Sequence, residues 1–276
     1  GYSVVLEIEH ASRWTGSNFR YDRVVAEGTL YSGLGRSGVL AARLRGGWVG
    51  AGAFKALLQT PGPVDVIHPQ KRFYAGGANS VRGFAQGRLG PRVLTVDPVR
   101  LLSTVPQGAG CDPTELVDLS CSVVSMDEGR FVPRPTGGTR VLEANLELRF
   151  PLGLSFEWAT FTDIGQVWGG YERVDLSNLE VTPGVGVRYL SPVGPIRIDL
   201  AYRFGGGEPL AVITSRVRMF DPSVHEEDDR IRIDDQVISY VQTQELVALN
   251  PSVIFGETSP FSFRRLQLHI SIGQAF

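Results

Sequence analysis

No run of about 18 apolar residues occurs anywhere in the 276-residue sequence, so no transmembrane helix is expected. Neither sign of charge dominates. The 27 Lys+Arg face 29 Asp+Glu, a formal net charge of −2, which argues against a general nucleic-acid binder. Cysteine is scarce at two residues, and the four histidines are scattered. No basic leader or apolar signal segment precedes the first alternating run, and no polar tail follows Phe276. With 42% hydrophobic residues, 33 Gly and 17 Pro, the composition excludes collagen-like, low-complexity and strongly disordered chains. By length the chain suits one large or two ordinary domains. The missing helix does not exclude a membrane protein. A spanning β-strand needs only about 9–11 residues, and only every second one must be apolar.

What the sequence does have is a period of two. Ile196, Ile198, Leu200, Tyr202 and Phe204 alternate with Arg197, Asp199, Ala201 and Arg203. Leu142, Ala144, Leu146, Leu148 and Phe150 alternate with Glu143, Asn145, Glu147 and Arg149. Leu266, Leu268, Ile270 and Ile272 alternate with Arg265, Gln267, His269 and Ser271. In a strand the two sets go to opposite faces. A soluble antiparallel sheet with one wet face would give this pattern. The run lengths, about 10–14 residues, exceed the usual strand of about five or six and favour a membrane barrel. Aromatics near strand ends, such as Trp168, Phe204 and Phe276, suit interfacial girdles. Eight strands are expected, at 3–12, 18–32, 37–50, 139–151, 154–168, 181–191, 195–205 and 263–276. Short turns alternate with long connections at about 51–138 and 206–262, as in transmembrane barrels. Residues 51–60 suit either a turn of helix or an extension of the third strand. No longer internal repeat is visible.

The first long connection contains Phe73-Tyr74-Ala75-Gly76-Gly77-Ala78-Asn79-Ser80-Val81-Arg82-Gly83-Phe84. This run resembles the signature of the outer-membrane assembly-factor superfamily, the bacterial surface antigens with BamA, TamA and two-partner secretion transporters among them. Asn145-Leu146-Glu147-Leu148-Arg149-Phe150-Pro151, Phe161-Thr162-Asp163-Ile164-Gly165-Gln166-Val167-Trp168 and Tyr189 to Asp199, with its S-P-x-G-P turn, resemble further family motifs in family order. The resemblance implies the C-terminal half of a sixteen-stranded barrel, with Gly76, Gly77, Val81, Arg82, Gly83 and Phe84 on a loop folded back into the lumen. The abrupt start at Gly1 then suggests a truncated chain.

Elementary chemistry agrees with that loop. Tandem glycines permit positive φ and close backbone approach. Arg82 stays ionised when desolvated and needs acceptors. Parity puts Glu147 with Glu143, Asn145 and Arg149 on the charged face. Phe156, Trp158 and Ile164 share the other face of their strand, which leaves Glu157 and Asp163 inward. The resemblance implies that Arg82 pairs with Glu147 and Asp163. Parity alone equally allows separate lumen charges solvated by water.

Cys111 and Cys121, ten residues apart, suit a disulfide in an oxidising compartment, and the family's loop often carries a comparable pair. A metal site would want four ligands, and no histidine lies near them. The C-terminal run Leu268, Ile270, Ile272, Gly273 and Phe276 resembles the β-signal of outer-membrane proteins, read by strand addition to an exposed edge. A lipid-facing closing strand would carry the same residues. His225-Glu226-Glu227-Asp228-Asp229 and Asp234-Asp235 match no EF-hand spacing and read as a solvated acidic loop. No nucleophile–base constellation can be assembled from spacing.

The expectation is therefore an all-β, outer-membrane-type barrel in the bacterial outer membrane, with no enzymatic activity, cofactor or metal. Its implied function is folding and insertion of barrel proteins. A translocation pore of TamA or two-partner-secretion type, a barrel lipase or protease, and a passive porin are the alternatives. Implied partners are outer-membrane lipids, unfolded barrel-protein clients, and accessory lipoproteins or periplasmic domains not in this sequence. Nucleic acid is not among them.

Overall fold

A computed structural model describes residues 1–17, 19–35, 37–51, 67–102, 110–124, 126–153, 155–170, 173–192, 194–233, 236–256, 259 and 262–275. Residues 52–60, Asp234, Asp235 and Phe276 lie outside this set, and with them most of the segment expected as a helical turn or strand extension, part of the acidic loop and the last residue of the C-terminal run. The described strands are β1 (Tyr2–Ala11), β2 (Tyr21–Leu34), β3 (Gly38–Ala51), β4 (Arg92–Val96), β5 (Val132–Pro135), β6 (Arg140–Pro151) and β7 (Phe156–Trp168). They continue with β8 (Glu180–Ser191), β9 (Gly194–Tyr202), β10 (Glu208–Met219), β11 (Arg230–Ile233), β12 (Gln236–Phe255) and β13 (Leu266–Ile272). The α-helices are α1 (Pro98–Leu101) and α2 (Pro113–Val117).

Eight strands form one antiparallel sheet in the order β1-β2-β3-β6-β7-β8-β9-β13. These correspond to the eight expected from period two, with ends shifted by up to four residues. The largest shift is in the last strand. Residues 263–265 form a 3₁₀ turn, and the strand ends at Ile272 because Gly273 has φ 102°. The short connections from β2 to β3, from β6 to β7 and from β8 to β9 share one rim, and the long connections leave from the other.

The sheet is inverted relative to a soluble one. Glu143, Glu147, Asp163, Arg188, Arg197 and Asp199 are at most 1% exposed, while Leu146 is 50% exposed and Ile198 49%. Charges inward and aliphatic side chains outward suit lipid on one side and a filled polar interior on the other. At the short-turn rim, Phe150 stacks with Trp158, and Phe156 packs beside Tyr189. These four, on adjacent strand ends, form an outward aromatic belt. Trp168, expected in such a girdle, is instead buried. It ends β7 at the long-connection rim, where Gly138 and Thr139 pack against it.

The chain divides into two compact units. The first comprises Gly1–Pro91, Pro135–Gly205 and Ser259–Phe276, and the second Arg92–Arg134 and Gly206–Thr258. The second was not foreseen: the long connections carry a five-stranded sheet, β11-β12-β10-β4-β5. Here β10 runs parallel to β4 and antiparallel to the 20-residue β12. Its apolar core includes Leu94, Leu101, Leu116, Val123, Val212 and Leu249.

Candidate functional site: a buried ion-pair layer holding a loop

The loop that follows β3 lies against the charged face of the first sheet. Gly76 and Gly77 adopt φ 100° and 110°, a region that side chains rarely enter. This curls the chain so that Gly77 N–H donates to the Phe84 carbonyl at 2.9 Å and Ser80 N–H to the Gly77 carbonyl at 3.1 Å. Val81, Arg82, Gly83 and Phe84 are then all buried. Gly83 sits against Thr182 of β8, where a Cβ would lie 2.2 Å from the threonine Cγ2 and 2.7 Å from its Cβ. The threonine Cβ is fixed by its backbone, so no rotamer change relieves that second contact. Gly83→Ala is therefore expected to overpack the site at a cost of about 1–3 kcal/mol. Limited proteolysis should show a loosened loop, and Thr182→Gly in the same chain, which removes both clashing atoms, should tighten it again.

Arg82 is the centre of the site, with its side chain 1% exposed. Its Nε and Nη2 donate to Asp163 Oδ2 and Oδ1 at 2.7 and 2.8 Å, a bidentate fork, and its backbone N–H reaches Asp163 Oδ2 at 3.0 Å. Nη1 donates to Glu147 Oε2 at 2.7 Å and to Asp199 Oδ2 at 3.4 Å. The guanidinium carbon lies 3.3 Å from the centre of the Phe161 ring, a cation–π contact. Burial opposes the charge on Arg82, but Asp163, Glu147 and Asp199 outweigh it and raise its pKa above the ordinary guanidinium value.

The acceptors are themselves held. Glu147 accepts from Arg149 Nε at 2.6 Å and from Arg188 Nη2 at 2.8 Å as well as from Arg82, so three guanidiniums share one carboxylate. Asn145 Nδ2 donates to Asp163 Oδ1 at 2.9 Å and to the Ser80 carbonyl at 2.8 Å. Ser80 Oγ hydrogen-bonds to Glu143. Arg188 and Arg197 sit directly opposite each other in the β8–β9 register, an arrangement unfavourable for like charges. Asp199 relieves it, with Oδ1 3.2 Å from Arg188 and Oδ2 3.6 Å from Arg197. The last strand joins through His269, whose Nε2 lies 2.9 Å from the Arg82 carbonyl oxygen.

The structure thus brings together Arg82, Glu147 and Asp163, the three residues paired by resemblance. Sequence reasoning missed Asp199, Arg188, Phe161 and His269 as members of the site. Asp199 and His269 were visible as charged-face residues of alternating runs, but nothing in one strand's pattern gives its register with the next. Cys111 and Cys121 are bonded and belong to the core of the second unit. Leu268, Ile270 and Ile272 point outward, being 55%, 69% and 69% exposed. Gly273 lies just past the strand, its N–H donating to the Pro195 carbonyl at 2.8 Å.

A long-stranded antiparallel sheet with an apolar outer face, a charged inner face and a loop locked onto that inner face defines an outer-membrane β-barrel protein with a lumen-anchored loop. The model of the Omp85 superfamily domain matches residues 1–209, and the chain belongs to that superfamily, whose place is the bacterial outer membrane. Among solved structures it is similar to BamA from Haemophilus ducreyi lacking POTRA domains 1–3, at 19% sequence identity and a TM-score of 0.48. The match covers 74% of this chain and 35% of that one, so the chain spans about a third of that protein's length.

Proposed function

We propose that this chain belongs to an outer-membrane insertase of BamA-like kind, which folds and inserts other barrel proteins without a covalent step, nucleotide or cofactor. The observation that carries the reading is the Arg82 layer. Glu147, Asp163 and Asp199 are fully buried beneath the loop, so this part of the inner face is filled and ordered instead of lining an open channel. That favours a machine whose work is done at a strand edge over a passive porin. In lipid, an unpaired strand edge leaves backbone donors and acceptors unsatisfied, and an incoming client strand satisfies them. Strand β13 ends the sheet, paired with β9 alone among the described residues, and its outer face is a row of Leu266, Leu268, Ile270 and Ile272.

A photo-cross-linking side chain at Leu268 tests this in cells. The expected result is capture of unfolded barrel proteins during their assembly, with capture falling when client synthesis stops. A chain that captures no barrel client, yet is needed for export of a soluble protein, would be a translocation pore instead.

A further inference from the structure

The second unit contains a groove that the Arg82 site does not use. It has a volume of about 430 Å³ and lies between β4, β5, β10 and β12. Its rim carries Arg100, Arg130 and Arg134, with Asp97 as the one carboxylate in the lining. These arginines stand apart from the others of the unit. Arg92 pairs with Glu208, Arg216 and Arg218 with Glu245, Arg230 with Glu227, and Arg232 with Asp228. Arg100, Arg130 and Arg134 have no carboxylate within ion-pairing distance among the described residues. Among the described residues the Arg130 guanidinium donates only to the Arg100 carbonyl, at 3.1 Å. Asp97 is occupied in capping α1, accepting from Val99 N–H at 2.9 Å.

We propose that this groove binds a phosphate-bearing saccharide, with the phosphoryl group among the three guanidiniums. The lining charge is three arginines minus one aspartate, or +2, and a phosphate monoester carries a charge of about −1.5 to −2 at neutral pH. Guanidinium forks match phosphate oxygens bidentately. A peptide would have to bring two or three separate acidic side chains into the same small volume. The rest of the lining suits a sugar. Ser215 and Gln242 make no side-chain hydrogen bond among the described residues, so both are available to hydroxyls, and Ile213 and Leu246 offer apolar surface to ring C–H groups. The volume falls within the range of small-molecule sites, about 300–1,000 Å³. Phosphorylated saccharides occur both free and as lipid headgroups, and the chemistry is shared.

The test uses the full chain in detergent, with glucosamine 6-phosphate, inorganic phosphate and lipid A in mixed micelles as probes. Calorimetry should show saturable binding of glucosamine 6-phosphate or lipid A, and weaker binding of inorganic phosphate. Replacing Arg100, Arg130 and Arg134 together by Gln should weaken binding at least about tenfold, since charge-assisted hydrogen bonds are lost. The control Arg216→Gln with Arg218→Gln should bind like the parent. Should the triple variant fold poorly, the exposed Arg134→Gln alone carries the comparison. Lipid A binding tighter than the soluble sugar assigns a membrane headgroup, and equal binding assigns a free sugar phosphate. The proposal is overturned if the triple variant binds as the parent does, if inorganic phosphate binds as tightly as either sugar, or if a poly-glutamate peptide outcompetes them.

Discussion

Arg82→Glu is expected to abolish assembly of barrel clients and to open residues 67–91 to protease, while the protein itself still reaches the membrane. The substitution removes the bidentate fork to Asp163 and the bond to Glu147, at 2.7–2.8 Å, and puts a fourth carboxylate among Asp163, Glu147 and Asp199. All three acceptors are fully buried, so water cannot screen the repulsion. Breaking a buried pair from one side alone costs about 3–5 kcal/mol, and reversing the charge costs more. The strands have their own ladders, so the loss falls on the loop. Adding Asp163→Arg restores one opposite-charge pair across the same gap and should recover part of both assembly and protease resistance. A parental proteolysis pattern in the single variant would show that Arg82 does not hold the loop.

How much of this was legible from residues alone follows from what period two reports. In the first unit, alternation runs unbroken through β6 and β9, and in β7 Phe156, Trp158 and Ile164 mark one face, so strand existence and face could be read, and with them the inward placement of Glu147 and Asp163. Pairing between strands is a different quantity. Asp199 reaches Arg82 because β9 lies two strands from β7, with Asp199 opposite Gly186 of the intervening β8. No single strand encodes that. Phe161 was visible as a motif residue, yet its role as a platform under Arg82 needs the loop in place. The second sheet was illegible for another reason. In β10 the buried row Leu210, Val212 and Thr214 jumps to Val217 across a register shift, so the period breaks and a polar residue occupies the core. Strand β12 buries only Val241, Leu249 and Val253 across its 20 residues, too sparse a signal to mark a strand. The parallel partner of β10, β4, comes from the other long connection, over 100 residues earlier in the chain.

Glu147→Ala should destabilise the layer by about 3–5 kcal/mol, because it takes the shortest carboxylate contact from Arg82 Nη1, Arg149 and Arg188 at once. The inner cluster of Arg82, Arg149, Arg188 and Arg197 against Glu147, Asp163 and Asp199 carries 4 − 3 = +1, and the variant raises this to +2. Asp199→Asn reaches the same net charge by losing a carboxylate whose contacts are longer, at 3.2–3.6 Å. If charge count alone governed the layer, the two variants would be equally unstable. If short, shared hydrogen bonds govern it, Glu147→Ala should cost at least about twice as much, since bonds to charged groups are worth about 1.5–3 kcal/mol each and weaken with distance. Urea unfolding of the barrel in detergent, followed by the loss of heat-resistant mobility on gels, measures both. High salt should rescue neither, because the lost partners are buried. Equal midpoints for the two variants would mean that the layer acts as a diffuse field, and Glu147 would lose its place as the residue that ties the loop, β6 and β8 together.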